Sequence, residues 1–200
     1  MKRMICIALS VLLSVCLTAC GSDPAPAPKS EQDVLNRVLN SEQSFVVKTW
    51  SEGKVEEKTL NRLTFSTEYA ALNSFVPTQY AYVDLDRDEV FELVVLDLKM
   101  EFFLVLRYTE EQVRGYIIPY RGMRGLRIDG RFQDSEGAGI SAINCMSFYG
   151  ADYTITELAY RNDYDGVYRL DGAVYDKMSV EGYFDSWELM PEVKWTTTED

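Results

Sequence analysis

Between residues 80 and 120 the chain holds four segments rich in β-branched and aromatic residues, each separated from the next by a short polar stretch. Such runs are typical of an antiparallel meander in which consecutive strands pair. The second run, residues 91–98, is apolar on both faces, which predicts a central strand covered from two sides. The four predicted strands are residues 80–83, 91–98, 102–108 and 113–120.

The flanking segments add helices and further strands. Ser30 is a candidate N-cap, and apolar residues recur at helical spacing over residues 34–39, so a short helix opens the domain. Residues 178–190 have a mostly helical spacing closed by Pro191, which predicts a last helix on the sheet. Further strands are predicted at residues 45–47, 63–65, 140–148 and 153–160, and hairpins with two-residue type I′ turns at Asp129-Gly130 and Asp171-Gly172. The predicted fold class is α+β, a mainly antiparallel β meander or sheet with a short N-terminal and a C-terminal helix.

The first twenty residues indicate export. Lys2 and Arg3 precede an apolar stretch shorter than the roughly 18 to 20 residues of a membrane span, as in a signal peptide. The tetrapeptide Leu-Thr-Ala-Cys that ends at Cys20 resembles the lipobox of bacterial lipoproteins. The resemblance implies that residues 1–19 are removed and that Cys20 carries diacylglycerol and acyl chains such as palmitate. The alternative is an ordinary secretory signal with an incidental cysteine.

The segment after Cys20 indicates a tether followed by one domain. Within residues 21–29, prolines alternate with alanines over residues 24–28, which favours an extended linker. We therefore divide the chain into a signal peptide (1–19), the lipidated cysteine with its linker (20–30) and a single globular domain (31–200). The predicted location is the cell membrane, with the domain facing outside the cytoplasm; whether that envelope has one or two membranes stays open.

Charge and composition exclude several classes of function. The formal net charge is −12, which repels phosphate backbones, so no nucleic-acid partner is expected. The chain has 0 histidines, which removes the usual general base, the commonest zinc ligand and every Ser-His or Cys-His nucleophile. We predict that the protein is not an enzyme.

An acidic segment after the first strand of the predicted meander, residues 80–83, is a candidate calcium loop. Asp84, Asp86, Asp88 and Glu92 stand at relative positions one, three, five and nine, where carboxylates on a tight loop can meet around a hard cation. The segment is not an EF-hand, because Val95 stands where the bidentate glutamate belongs. It resembles the Asp-x-Asp-Gly-Asp-Gly-x-x-Glu-Leu loop of integrin-type β-repeat modules.

This copy departs from that loop at two positions. Arg87 and Glu89 stand where the related loops have glycine, and a left-handed backbone there costs a non-glycine residue roughly 1 to 2 kcal/mol. Arg87 also adds a competing cation. Two alternatives therefore stay open, a bound calcium ion or a hairpin with a solvated acidic tip.

The order of motifs along the chain resembles a group of uncharacterised lipoproteins from Gram-positive gut bacteria. The resemblance rests on the acidic loop with its Glu-Leu-Val-Val strand, Tyr120-Arg121-Gly122, Gly137-Ala138 and Val193-Lys194-Trp195. It covers most of the chain after Cys20. It implies an exported lipoprotein and transfers no catalytic residue.

Arginines and tyrosines supply two further candidate surfaces. Arg121, Arg124 and Arg127, with glycines between them, could hold a carboxylate or phosphate of a wall polymer. The alternative is that Arg127 and Arg131 point from the outer face of a hairpin and balance acidic neighbours. Many of the 13 tyrosines lie in the last third, where they suit sugar stacking or a half-buried sheet.

These features predict a membrane-anchored lipoprotein of the cell envelope. We expect a monomer that binds a ligand or partner, an envelope protein or wall polymer, without catalysis, with calcium as the candidate cofactor. One alternative is an enzyme that acts on wall glycan through a carboxylate pair. Another is a chaperone or inhibitor module for an exported protein.

Overall fold

The fold is described from a computed structural model over residues 30–48, 55–67 and 70–198. The predicted signal peptide, Cys20 and the linker up to residue 29 lie outside these residues. The described residues form, in chain order, α1 (Glu31–Leu39), β1 (Phe45–Lys48), β2 (Val55–Lys58), β3 (Thr64–Thr67), β4 (Ala70–Ser74), β5 (Gln79–Val83), β6 (Glu92–Asp97), β7 (Phe102–Thr109), β8 (Gln112–Pro119), β9 (Phe132–Gly137), β10 (Ile140–Tyr149), β11 (Asp152–Asn162), β12 (Val167–Leu170), β13 (Ala173–Val174), α2 (Lys177–Glu188) and β14 (Thr196–Thr197). Short 3-10 helices stand at Leu60–Arg62 and Tyr120–Gly122.

The larger sheet has seven strands in the order β14-β5-β6-β7-β8-β1-β2. Strands β5 to β8 pair antiparallel in chain order, so the predicted meander is confirmed. On one side of the meander β1 pairs parallel with β8, and on the other β14 pairs antiparallel with β5. All six residues of β6 are buried, which confirms the prediction of a strand covered from both sides.

The second sheet has five strands in the order β13-β12-β11-β10-β9, antiparallel throughout. Its long hairpin, β10 with β11, contains the strands predicted at residues 140–148 and 153–160. Between β12 and β13, Asp171 and Gly172 have φ values of 48° and 76°. Because a type I′ turn needs a left-handed backbone at both central residues, the turn predicted there is confirmed.

The other predicted two-residue turn is wrong. Asp129 does not have a positive φ, and Gly130 does, at 79°. The amide of Arg127 donates to the carbonyl of Arg131 at 2.8 Å, which closes a loop of three residues, 128–130. A three-residue hairpin loop needs a left-handed residue only at its last position, which is Gly130 here. A Cβ at Gly130 would lie 2.6 Å from the carbonyl oxygen of Leu85, so this loop packs directly on the acidic loop.

The elements stack in four layers, helix on sheet on sheet on helix. The first apolar core lies between α1 and one face of the larger sheet, and it includes Leu35 and Val95. The second lies between the two sheets, and it includes Val94 and Met146. The third lies between the second sheet and α2, through Phe184. Both predicted helices are present, and the α+β class with mostly antiparallel sheets is confirmed.

Candidate functional site

The acidic loop between β5 and β6 folds around its own aspartates. The Asp84 carboxylate accepts hydrogen bonds from the backbone N–H groups of Asp88 (3.1 Å) and Glu89 (3.0 Å), and Asp88 Oδ1 accepts one from Val90 (2.9 Å). Arg87 and Glu89 have φ values of 63° and 68°, the left-handed conformation expected from the glycine positions of similar loops. Side-chain acceptors of this kind hold a turn that the backbone alone would not favour.

A guanidinium from the neighbouring part of the sheet lies against three of the four predicted metal ligands. Arg107, on β7, places Nη1 2.5 Å from Glu92 and 3.3 Å from Asp86, and Nη2 2.5 Å from Asp88. The side chain of Arg107 is 12% exposed, and its guanidinium lies 4.6 Å from the ring centre of Phe148 on the second sheet. Hydrogen bonds between charged groups are the strong class, so Arg107 pins the acidic loop to the larger sheet.

Burial changes the protonation of this acidic cluster. Glu92 is fully buried, and its Oε2 accepts a hydrogen bond from the backbone N–H of Leu85 at 2.9 Å. Burial raises the pKa of Glu92 to about 7, although the Leu85 amide and the charge of Arg107 act to lower it. Burial also raises the pKa of Asp86, against the charge of Arg107. At Asp88 burial acts in the same direction, but hydrogen bonds led by that from Arg107 outweigh it and the pKa is lowered.

Three of the four predicted ligands lie close enough together to bind one cation. Asp84, Asp86 and Asp88 place carboxylate oxygens within 4.8 Å of one another. Glu92, in contrast, has one oxygen on Arg107 and the other on a backbone amide. Calcium therefore stays a prediction for the three aspartates, where it would compete with Arg107 for two of them.

Arg87, the predicted competing cation, lies away from the cluster. Its Nη2 pairs with Asp129 at 3.1 Å, and its side chain is 62% exposed. The reason is the contact between the two loops, which brings Asp129 within reach of the tip of the acidic loop. The competing cation is Arg107 instead.

The predicted anion-binding arginines occupy three different environments. Arg121 is exposed, and Arg124 is exposed with its guanidinium 6.0 Å from the ring centre of Tyr120. Arg127 is 8% exposed, donates to the carbonyl of Met190 at 2.9 Å, and pairs with Glu192 at 3.3 Å. The structure therefore brings Arg124 and Arg127 to one cleft, described below, and leaves Arg121 outside it.

The expectation that Arg127 and Arg131 point from an outer face is wrong. The side chains of Arg127 and Arg131 are 10% and 13% exposed. The cause is the C-terminal segment, which crosses over this loop: the Val193 amide donates to Leu126, and the Ile128 amide donates to the carbonyl of residue 191. A hairpin face that would be exposed on its own is thereby enclosed.

The same crossing creates a cleft. The chain leaves α2 in the outer layer and returns to the larger sheet as β14, and a space of about 630 Å³ lies beside this path. We call it the aromatic cleft. Its aromatic lining residues are Phe103, Tyr120, Trp187 and Trp195, and its charged lining residues are Arg124, Arg127, Glu188 and Glu192, with Gln79 and Gln133 among the neutral polar ones.

The rings of the aromatic cleft form an ordered row. Tyr120 stacks on Phe103 with centres 5.6 Å apart and planes at 11°, and Trp195 lies on Phe103 at 6.0 Å and 32°. Phe103 is buried, whereas Tyr120 and Trp195 are half-buried. Trp187, from α2, stacks on the guanidinium of Arg127 at 4.3 Å. The accessible rings are thus held by their neighbours.

Several polar groups at the aromatic cleft lack partners. Within the described part of the chain, the side chains of Arg124, Gln133 and Glu188 make no hydrogen bond or ion pair. The Nε1 of Trp187 and the Nε of Arg127 are buried and also have no partner there. Buried polar groups in native proteins are almost always paired, so the two buried nitrogens are exceptions, whereas Arg124 and Glu188 are exposed to solvent.

A second cleft, of about 700 Å³, lies beyond the tip of the β10–β11 hairpin. Its aromatic residues, Tyr116 and Tyr153, pack edge to face on each other at 5.1 Å. Lys48 and Val55 line it and border residues 49–54, which lie outside the described residues. The residues that line the aromatic cleft, in contrast, all lie within 79–195, a stretch that the structure describes without a gap.

Comparison with known proteins finds no match among family models, curated proteins or solved structures. In the described residues no helix has both the length and the apolar character to cross a membrane.

Sequence reasoning missed Arg107 and the aromatic cleft. Arg107 carried a signal, since it is the single charged residue within the apolar run 102–108 and an arginine on a buried strand needs a partner. Tyr120, Trp187 and Trp195 carried none, because they lie on different elements and converge only in the folded chain.

Proposed function

We propose that the chain is a monomeric lipoprotein of the cell envelope, anchored through Cys20 on the outer side of the membrane, whose domain binds a ligand without transforming it. The observation that carries this proposal is the aromatic cleft, where accessible rings stand beside unpartnered polar side chains. Small-ligand sites are typically concave, largely apolar and equipped with a few placed polar groups, over about 300–1,000 Å³. The cleft has the volume and the placed polar groups, and its exposed lining is more polar than apolar, which favours a polar ligand.

The position of α1 is compatible with tethering. This helix follows the predicted linker and packs on one face of the larger sheet, whereas the aromatic cleft lies on the other face. A linker of residues 21–29 in extended conformation spans roughly 25–30 Å. An anchored domain would therefore keep its cleft open to the envelope.

Binding without catalysis is favoured over the glycan-acting enzyme. Two carboxylates, of Glu188 and Glu192, line the aromatic cleft, but Glu192 is paired with Arg127. Glycoside hydrolysis needs one carboxyl group held protonated and a second one free. The acidic cluster of the loop is already engaged by Arg107, and we propose a structural role for it, with calcium as a candidate cofactor.

Sedimentation with insoluble wall polymer tests this proposal. The full chain, in micelles of a polyoxyethylene detergent, is mixed with purified bacterial sacculi and pelleted. We expect the protein in the pellet, and we expect Trp195→Ala to remain in solution. Tyr149→Ala is the matched control, because Tyr149 is 66% exposed and does not line the aromatic cleft.

Three outcomes would replace the proposal. Equal sedimentation of wild type and Trp195→Ala would remove the aromatic cleft as the site. Release of reducing ends from the sacculi, abolished by Glu188→Gln, would make the protein an enzyme. Recovery of Cys20→Ala in the membrane fraction of expressing cells at the wild-type level would remove the lipid anchor.

A further inference from the structure

We infer that the ligand of the aromatic cleft is a short neutral oligosaccharide. The inference rests on the proposed function, since it names the ligand class of the same site. It combines three properties of the cleft: the arrangement of its rings, its charge balance and its unpartnered polar groups.

The rings offer two platforms of the kind that sugars use. Tyr120 and Trp195 flank the buried Phe103 and are held against it at 5.6 and 6.0 Å, so neither needs to be ordered when a ligand arrives. The apolar C–H face of a pyranose packs on the flat face of an aromatic ring.

The charge balance favours a neutral ligand. The cleft is lined by two arginines and two glutamates, and Arg127 is already paired with Glu192. The remaining pair, Arg124 and Glu188, cancels in sum, so a ligand of either charge would meet a like charge. The whole chain has a formal net charge of −12, which further repels anionic wall polymers.

The unpartnered polar groups match hydroxyls. A hydroxyl both donates and accepts, and it is satisfied best by a mixed set of partners. Arg124 supplies donors, Glu188 supplies acceptors and the Gln133 amide supplies both, and none of the three makes a hydrogen bond or an ion pair among the described residues. A purely apolar ligand would leave these groups dehydrated and unpaired, at a cost in affinity.

Calorimetry with defined trisaccharides tests the inference. The full chain, in polyoxyethylene micelles that carry no sugar headgroup, is titrated with chitotriose, cellotriose and maltotriose, and with trigalacturonate as the anionic counterpart. We expect saturable binding of at least one neutral sugar. We expect Trp195→Ala and Gln133→Leu to weaken it by roughly tenfold or more. Trp195→Phe, which keeps a ring, should retain binding, and so should Tyr149→Ala.

The possible results separate this inference from the proposed function. If no neutral trisaccharide binds at millimolar concentration while Trp195-dependent sedimentation with sacculi persists, the cleft is a binding site and its ligand class is wrong. Tighter binding of trigalacturonate than of every neutral sugar has the same meaning. If the sedimentation test fails as well, both proposals fall. Trp195→Ala is accepted as a test only when its thermal melt stays cooperative, and Gln133→Leu otherwise decides.

Discussion

The acidic loop and the aromatic cleft both gather charged side chains from distant parts of the chain, but they satisfy those charges differently. In the loop, Arg107 meets three carboxylates and is itself nearly buried. In the cleft, Arg127 pairs with Glu192, and the side chains of Arg124, Glu188 and Gln133 make no hydrogen bond or ion pair among the described residues. The charges of the loop are filled from within by Arg107, whereas those left open in the cleft are available to a ligand. The acidic loop, the most conspicuous motif of the sequence, is thus attached to β7 through the ion pairs of Arg107.

The largest expected effect comes from removing the guanidinium of the loop. Arg107→Ala leaves Glu92 buried without its cation, and breaking such a pair costs about 3–5 kcal/mol of unfolding free energy. Urea unfolding at pH 8 measures it. Arg87→Ala is the control, because Arg87 is 62% exposed in its pair with Asp129, and such pairs contribute less than about 1 kcal/mol. Equal losses of unfolding free energy in the two variants would show that the ion pairs of Arg107 do not hold the acidic loop on the sheet.

The second effect concerns pH. The pKa of Glu92 rises from 4.5 to about 7 in the folded protein, so between these values the folded state holds a proton that the unfolded state has released. Stability contributed by this proton is present below pH 4.5 and is lost as the pH rises through 7. We expect the unfolding free energy to fall by about 3 kcal/mol over this window relative to Glu92→Gln, from urea titrations at each pH. A wild type as flat as Glu92→Gln would mean that Arg107 keeps Glu92 ionised throughout.

The third effect sharpens the competition between Arg107 and a cation. Millimolar calcium should raise the melting temperature of Arg107→Gln more than that of the wild type, because the variant frees Asp86 and Asp88 for the ion. Saturation at about a hundredfold over Kd corresponds to about 2.7 kcal/mol. The shift should vanish when Asp84→Ala is added to Arg107→Gln. The same melts with magnesium in place of calcium provide the comparison with a second cation. A larger shift in the wild type would show that Arg107 and calcium bind together.

The smallest effect on stability is expected at the aromatic cleft. Arg124→Gln removes an exposed charge that makes no hydrogen bond or ion pair among the described residues and lies 6.0 Å from the ring centre of Tyr120, so the unfolding free energy should change by less than about 0.5 kcal/mol. Its affinity for the trisaccharide that binds best should nevertheless decrease measurably. Thermal melts and calorimetry on one preparation compare the two. A large loss of stability without loss of binding would show that Arg124 has a structural role and does not contact the ligand.

Much of the fold could be predicted because its signals are local. The apolar run of β6, the acidic N-terminus of α1 and the Asp171-Gly172 turn each follow from a few adjacent residues. The turn at Gly130 failed because a three-residue loop and a two-residue loop share the same Asp-Gly signal, and packing on Leu85 selects between them.

Apart from β2, β4, β14 and the left-handed backbone of Arg87 and Glu89, which were not predicted, the sequence by itself determined the order of the elements and the alternation of buried and exposed residues. These depend on the periodicity and steric limits of neighbouring residues. Only the tertiary structure decided which cation meets the carboxylates, which face of the arginine segment is enclosed, and that Tyr120, Phe103 and Trp195 form one row. Such contacts join residues far apart in the chain, and no local pattern encodes which distant side chain will fill a given space.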